Sequence, residues 1–293
     1  MDRLQEALQG RTTTDFQYTE RDCILYALSL GVSAQNLSLV YEGFETFQPF
    51  PTLGVLTGFV HGARPALDSL LPNFNPANLL HGEHTLHVHK PLPRAAKLTT
   101  TARLVHIADK GRAAIAVMEL VSSDASTGSV ICTNEFTNFV RGAGGFGGSV
   151  SSSDYHPPPT FKVPTSQPDK VQHQPTTLEQ AALYRLNGDR NPLHIDPAVS
   201  QQVGFEHPIL HGLCTFGIAA RHVAEFADSK GCGALQSVKV RFANVVVPGD
   251  ELHIEMWHIQ DGRFAFQVRN ATRGTLAITN GHATFSSDVR SRL

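Results

Sequence analysis

The stretch Pro208-Ile-Leu-His-Gly-Leu-Cys-Thr-Phe-Gly-Ile-Ala-Ala-Arg-His-Val-Ala-Glu-Phe226 is apolar nearly all round until Arg221. Gly212 and Gly217 within it permit close backbone approach. A helix without a polar face has nothing to offer water and must be enclosed. Strand-like alternation follows it: Leu252, Ile254 and Met256 fall on one face, as do Phe264, Phe266 and Val268. A sheet wrapped around one central helix satisfies both patterns.

Working outward, the run from Arg141 through Gly142, Gly144, Gly145, Gly147 and Gly148, a serine cluster and Pro157-Pro158-Pro159 has a composition that sustains neither helix nor strand. It divides the chain into halves that resemble each other. Thr19 stands seven residues before Tyr26, and Thr177 seven before Tyr184, each Thr reading as a helix start. Pro93 to Leu98, a strand and Gly111-Arg112 are echoed by Pro248 to Leu252, a strand and Gly262-Arg263. Each half is a short helix followed by an antiparallel meander, and a sheet around a central helix is the hotdog fold. The expected architecture is therefore α+β, a double hotdog whose long central helix lies only in the C-terminal half. The divisions are an N-terminal repeat over 1–140, a Gly/Ser/Pro-rich linker over 141–175, a C-terminal repeat over 176–286 and a tail over 287–293.

The first half cannot build the same helix. Its equivalent region, Pro51 to Pro76, is interrupted by Pro65, Pro72 and Pro76 and by Gly54, Gly58 and Gly62, with Gly82 just beyond. That leaves apolar sheet surface needing a cover from elsewhere.

Composition excludes several functions. The 293 residues are 41% hydrophobic, enough for a sizeable core, and a net charge of −2 with dispersed basic residues gives no reason to bind nucleic acid. Cys23, Cys132, Cys214 and Cys232 lack CxxC spacing, so reduced thiols in an intracellular setting are expected. Met1 to Gly10 carries charges where a secretory signal needs an apolar run, and no stretch approaches the ~20 apolar residues of a membrane span. The C-terminus, Ser291-Arg292-Leu293 after Arg290, is a conservative variant of the Ser-Lys-Leu peroxisomal signal. A chance match of three residues is the plain alternative.

Between the two helical segments of the second half lies Tyr184-Arg-Leu-Asn-Gly-Asp-Arg-Asn-Pro-Leu-His-Ile-Asp-Pro197. Gly188 and Pro192 mark a tight loop that presents Asp189 and His194 together. With ordinary pKa values of roughly 4 and 6.5, the carboxylate is ionised and the imidazole mostly neutral near pH 7, a pair able to polarise one water. Taken singly, Asp189 and Asn191 also read as turn residues and His194 as a satisfied polar group.

Together these residues resemble the signature of the hydratase 2 family, related to MaoC-like dehydratases. The match runs on through Gly204-Phe205 and His207 to Thr215. Leu80-His81-Gly82-Glu83, Lys90 to Arg94, Asp109-Lys110-Gly111 and Gly144 to Gly148 in the first half resemble the eukaryotic double-hotdog members. One departure is Asn187, where the family usually carries a small residue such as Ser.

The resemblance implies (R)-specific hydration of trans-2-enoyl-CoA to (3R)-3-hydroxyacyl-CoA in peroxisomal β-oxidation, by a hydro-lyase with no cofactor beyond the substrate's own CoA. It implies Asp189 and His194 as the catalytic pair, Asn191 positioning their loop, and Gly212 as backbone donor to the thioester oxygen. Acyl-CoA contacts are implied for His81, Gly82, Lys110 and Phe242 as well as the catalytic loop. Lys110 equally suits a hairpin turn, and Phe242 an ordinary core. The implied partners are acyl-CoA and the peroxisomal import receptor, and a homodimer is compatible. Leu30-Gly31 stands in the first half where Gly188-Asp189 stands in the second, so the first half is expected to be silent and its uncovered sheet surface to take the fatty acyl tail.

Other readings stay open. His81, His84, His87 and His89 are spaced closely enough for a metal site, although no Cys and no carboxylate but Glu83 accompanies them. A hotdog thioesterase, a dehydratase on another thioester, and a non-catalytic acyl-CoA-binding protein are the alternatives to hydration.

Overall fold

The computed structural model describes residues 2–59, 67–227, 234–260 and 262–286, so the Ser291-Arg292-Leu293 signal lies outside the described residues. The first half runs through α1 (Asp2–Ala7), β1 (Thr12–Tyr18), α2 (Glu20–Ser29), α3 (Leu37–Val40) and a 3₁₀ helix at Pro51–Phe59. It ends in a meander of β2 (Leu79–Val88), β3 (Ala96–Asp109), β4 (Ala113–Asp124) and β5 (Val130–Arg141). β6 (Ser149–Ser151) and β7 (Lys170–Pro175) come next, then α4 (Gln180–Tyr184), α5 (Pro197–Gln202) and α6 (Gly212–Ala227). β8 (Leu235–Phe242), β9 (Glu251–Gln260), β10 (Arg263–Asn270) and β11 (Thr275–Phe285) complete the chain.

Ten strands form one antiparallel sheet in the order β1-β3-β4-β5-β2-β8-β11-β10-β9-β7, with β6 paired to β3. Read inward from either edge the pattern is the same, so the sequence repeat becomes a two-fold relation about the β2–β8 seam, where Thr85 pairs with Lys239. α2 begins as its sequence dictates, with Thr19 as N-cap and its N–H donated to the Asp22 carboxylate. Its counterpart α4 has a single turn, starting at Gln180 instead of at Thr177, and tightens into a 3₁₀ turn over Arg185–Asn187.

α6 is the enclosed helix. Every residue from Leu213 to Ala224 is buried, against β8, β9, β10 and β11. It starts at Gly212 instead of Pro208, because the Leu210 N–H is taken by the Val246 carbonyl at 2.7 Å and holds the preceding residues out of the helix. At Gly217 the helix meets α2 so closely that an added Cβ would lie 2.6 Å from Leu30 Cδ2.

The sheet of the first half is not left bare. The Pro51–Phe59 3₁₀ helix is buried from Pro51 to Gly58 and packs on β2, β4 and β5 and against α6. The proline and glycines that forbid a long α-helix permit this shorter plug. Asn134 Nδ2 donates to the Gly54 carbonyl at 3.0 Å, and Tyr26 Oη to the Thr52 carbonyl at 3.0 Å. Beneath it remains a cavity of about 10 Å³ lined by Gly58, Met118, Leu120, Phe136 and Asn138.

The segment 141–175 corrects the sequence reading, since β6 and β7 lie inside it. β6 is held by burial of Val150 and by pairing to β3, and β7 supplies the edge partner of β9. Between them the chain is irregular but anchored. One row of paired residues crosses eight strands on the outer face: Arg103, Glu119, Glu135, Thr85, Lys239, His282, Ala265 and Trp257. The connecting chain follows that row. Asp154 pairs with Arg103 at 2.8 Å, and Lys239 Nζ donates to the Pro158 carbonyl at 3.1 Å. Phe161 stacks on His282 at 3.7 Å, and Trp257 Nε1 donates to the Ser166 carbonyl at 3.0 Å. This strap spans both halves and their seam.

Candidate active site

α4 and its 3₁₀ turn end at Gly188, whose φ of +130° suits only glycine and turns the chain sharply into Asp189. Asn191 then orders the loop. Its side chain accepts the Leu193 N–H at 3.1 Å, capping the 3₁₀ turn Pro192–His194, and its own N–H donates to Asp189 Oδ1 at 3.2 Å. Proline at the first position of that turn fixes the backbone without sacrificing a needed donor.

His194 is buried, and Asp189 is half-buried. The His194 Nδ1 lies 2.8 Å from the Ile209 carbonyl, which can only accept, so Nδ1 carries the proton and Nε2 of the neutral ring is left as an acceptor. Burial holds its pKa below the usual imidazole value, while the Ile209 bond and Asp189 oppose that shift. The neutral base is therefore the resting form near pH 7. His211 stacks on His194 with ring centroids 3.7 Å apart and donates Nε2–H to the Asp189 carbonyl at 3.1 Å.

Gly212 is the first residue of α6, so its N–H has no acceptor a turn earlier in the helix and stands at the positive end of the helix dipole. A Cβ there would come within 3.2 Å of the Phe242 ring, and Phe242 in turn meets the His81 ring edge-on at 5.0 Å. The structure thus brings Gly212, Phe242 and His81 into one contiguous group. Gly82 is a bulge in β2, between His81 and Glu83, where the backbone runs close to the Thr137 carbonyl. Lys110 sits in the β3–β4 hairpin, its N–H bonded to the Ala113 carbonyl at 2.8 Å. Beside that hairpin an open pocket of about 550 Å³ is lined by Arg112, Phe139, Arg141, Gly142 and Gly144, among others.

The four-histidine run does not converge on a metal. His84 is buried with Nε2 3.2 Å from Asn134 Oδ1, and His89 Nε2 lies 2.9 Å from Thr133 Oγ1. Among the described residues, the groups with ligand atoms within 4.8 Å of one another are His173, Glu251 and His253 on the β7–β9 edge, and Asp189, His194 and His211 where the Asp189–His194 loop meets the residue before α6. His211 was inside the sequence motif but carried no role in the sequence reading. Its contacts with Asp189 and His194 arise only once the chain folds back on itself.

A buried neutral imidazole and a carboxylate thus lie together next to the segment that leads into α6, in the second repeat of a double hotdog. The chain matches the family model "MFE-2 hydratase 2 N-terminal domain" over residues 16–142 and "MaoC like domain" over residues 160–281. It is 38% identical to "Probable enoyl-CoA hydratase 2" of Dictyostelium discoideum, covering 92% of this chain and 91% of that one. It is 43% identical to "Peroxisomal multifunctional enzyme type 2" of Mus musculus, covering 90% of this chain and 36% of that one. A crystal structure of a MaoC-like dehydratase from Phytophthora capsici superposes with TM-score 0.88 at 29% identity, over 97% and 99% of the two chains. The chain belongs to the hydratase 2 family of MaoC-like proteins. It spans between about a third and a half of the length of the multifunctional relatives it matches.

Proposed function

We propose that the protein is an (R)-specific enoyl-CoA hydratase of the hydratase 2 type, adding water reversibly to trans-2-enoyl-CoA to give (3R)-3-hydroxyacyl-CoA. The observation that carries this reading is the fixed tautomer of His194. Its Nε2 keeps the lone pair, and a ring nitrogen of His194 lies within 4.8 Å of an Asp189 carboxylate oxygen, close enough for the two to share one water.

Water held by Asp189 and His194 attacks C3. The pair takes one proton from that water as the C–O bond forms and returns one to C2. Negative charge gathers on the thioester oxygen, and the Gly212 N–H stabilises it. The closeness of Phe242 to Gly212 makes a side chain at that position incompatible with the carbonyl's approach. Asp189, Asn191 and His194 hold the reacting end, and His81, Gly82 and Phe242 flank it. Lys110, Arg112 and Arg141 beside the open pocket suit the phosphates of CoA.

The acyl tail lodges in the first half. The last residue of its plug, Phe59, lies against Gly188 of the catalytic loop, so a tail leaving the site meets that plug first. With only about 10 Å³ open below it, longer tails displace Phe136 from Gly58. Relatives named as peroxisomal support action in peroxisomal fatty acid β-oxidation, and Ser291-Arg292-Leu293 is the tail an import receptor would read.

Bleaching of the enoyl absorbance with crotonyl- and decenoyl-CoA, without release of thiol, tests the reaction, and chiral chromatography tests its hand. Thiol release from saturated acyl-CoA without bleaching, or an (S) product, overturns the proposal.

A further inference from the structure

One short segment grips both members of the catalytic pair. Ile209 receives the His194 Nδ1 proton, and two residues on, His211 donates to the Asp189 backbone carbonyl while its ring backs the His194 ring with 26° between the planes. The next residue is Gly212, where α6 begins. His211 is therefore attached directly to a sixteen-residue helix that is buried through most of its length. The loop it touches is ordered locally by Asn191 and tied to Ile209 through His194, and His211 adds a second tie at Asp189 itself. Gly188 gives the chain its turn, and the Asp189 side chain is fixed only by the Asn191 N–H among the bonds of the described residues.

We propose that His211 is a positioning residue: its Nε2–H bond to Asp189 and its stack on His194 set the carboxylate, the imidazole and the Gly212 N–H at one fixed separation. The role is mechanical. Burial and the neighbouring His194 push the His211 pKa down to about 3, so the ring is neutral and adds no charge beside the base. A carbonyl partner for Nε2 also fixes the tautomer, leaving Nδ1 as a buried acceptor with no hydrogen-bond partner among the described residues. A group whose one proton is spent on a backbone carbonyl does not shuttle protons in the reaction.

The inference rests on the hydratase reading for its kinetic test and on geometry alone for its spectroscopic one. His211→Phe keeps an aromatic face for His194 and removes the donor. His211→Gln restores a donor at nearly the same reach. With decenoyl-CoA, His211→Phe is expected to lower kcat by about 10²-fold, the scale of a 1 Å misplacement, with KM changed less than about threefold. His211→Gln is expected to recover at least tenfold of that loss, and both variants to unfold within a few degrees of the wild type. A His211→Phe variant within threefold of wild-type kcat, equal impairment of both variants, or a loss that tracks melting temperature overturns the role. Independently of activity, 15N-histidine NMR of the wild type should show His211 as the Nε2–H tautomer. An Nδ1–H tautomer or rapid exchange there overturns the proposal even if hydration proceeds, whereas a wild type that fails to hydrate while showing the tautomer indicts the assigned reaction.

Discussion

Asn187 Nδ2 donates to Ser29 Oγ at 3.0 Å, and these residues occupy the same position in the two repeats, 158 residues apart. Each also makes the same local bond, Ser29 Oγ to the Tyr26 carbonyl and Asn187 Nδ2 to the Tyr184 carbonyl. Tyr26 and Tyr184, the residues that hold those carbonyls, face each other at 6.1 Å. The two-fold relation thus passes directly beside the catalytic loop. Asn187, larger than the small residue the resemblance leads one to expect there, ties the loop to the first half. Replacing it with Leu removes the donor to Ser29 Oγ, which keeps its own bond to the Tyr26 carbonyl, and should destabilise the fold by about 0.5–1.5 kcal/mol in urea unfolding, while Asn187→Ser should cost less than half as much. Equal losses for the two would refute a hydrogen-bonding role.

Asp189→Asn and His194→Gln should each lower hydration by at least about 10²-fold, the scale of lost acid/base assistance. Both side chains serve a loop and not the core, so circular dichroism and melting temperature should stay near wild type. Retention of more than a tenth of the activity by either variant would exclude that residue from proton transfer.

The pH behaviour follows from burial. Because His194 is held neutral below the usual imidazole value, kcat/KM should remain flat on cooling acidity from pH 8 to near 6.5 and decline only below it, as the folded ring protonates. Stability has a related slope. His282 and His211 are pushed down to about 4 and about 3, while in the unfolded chain each titrates near 6.5. Below that value the unfolded state binds protons that the folded state refuses. Their contribution is therefore whole above about 6.5 and drains away as pH falls toward 4 and 3. Melting temperature measured across pH 4 to 7 should show that slope, and His282→Phe, which keeps a ring for Phe161, should make it shallower.

Gly217→Ala places a Cβ 2.6 Å from Leu30 Cδ2 and 3.1 Å from the Tyr26 hydroxyl. Overpacking there should cost about 1–3 kcal/mol. The double variant with Leu30→Ala should recover part of that loss, and denaturant midpoints of the four proteins in the cycle would reveal no coupling if the contact were irrelevant.

Gly58→Leu drives a side chain into the Phe136 ring, which already stands 2.5 Å from the position of an added Cβ. If the tail lodges beneath the Pro51–Phe59 plug, specificity constants for ten- and sixteen-carbon enoyl-CoAs should fall at least tenfold, and that for crotonyl-CoA should change little. A uniform fall at all lengths would instead mean that the tail runs elsewhere.

The enclosed helix, the repeat and the Asp189 to His194 loop were legible because each is written in consecutive residues. Apolar runs, a constant spacing and turn chemistry need no partner to be read. The cover over the first sheet was not, since Pro51 to Phe59 breaks every rule for a long helix and still packs as a tighter one. Nor were the strap's anchors, where Phe161 meets His282 and Trp257 meets the Ser166 carbonyl from far along the chain. His211 escaped for the same reason. Its neighbours in sequence say nothing of a carbonyl that lies 22 residues earlier.

The strap that crosses the seam also changes what the first half is free to become. Two separate hotdog domains would have to meet by diffusion, and losing affinity would mean losing the partner. Joined by a short connector, each sees the other at an effective concentration on the order of millimolar. Under that tether a repeat can shed its acid/base residues, trade its central helix for the short plug at Pro51–Phe59 and remodel its interior while remaining docked beside Asp189 and His194. Under the proposed function, catalytic silence on one side would be a tolerated state, and the strap is the part of the molecule that would make it so.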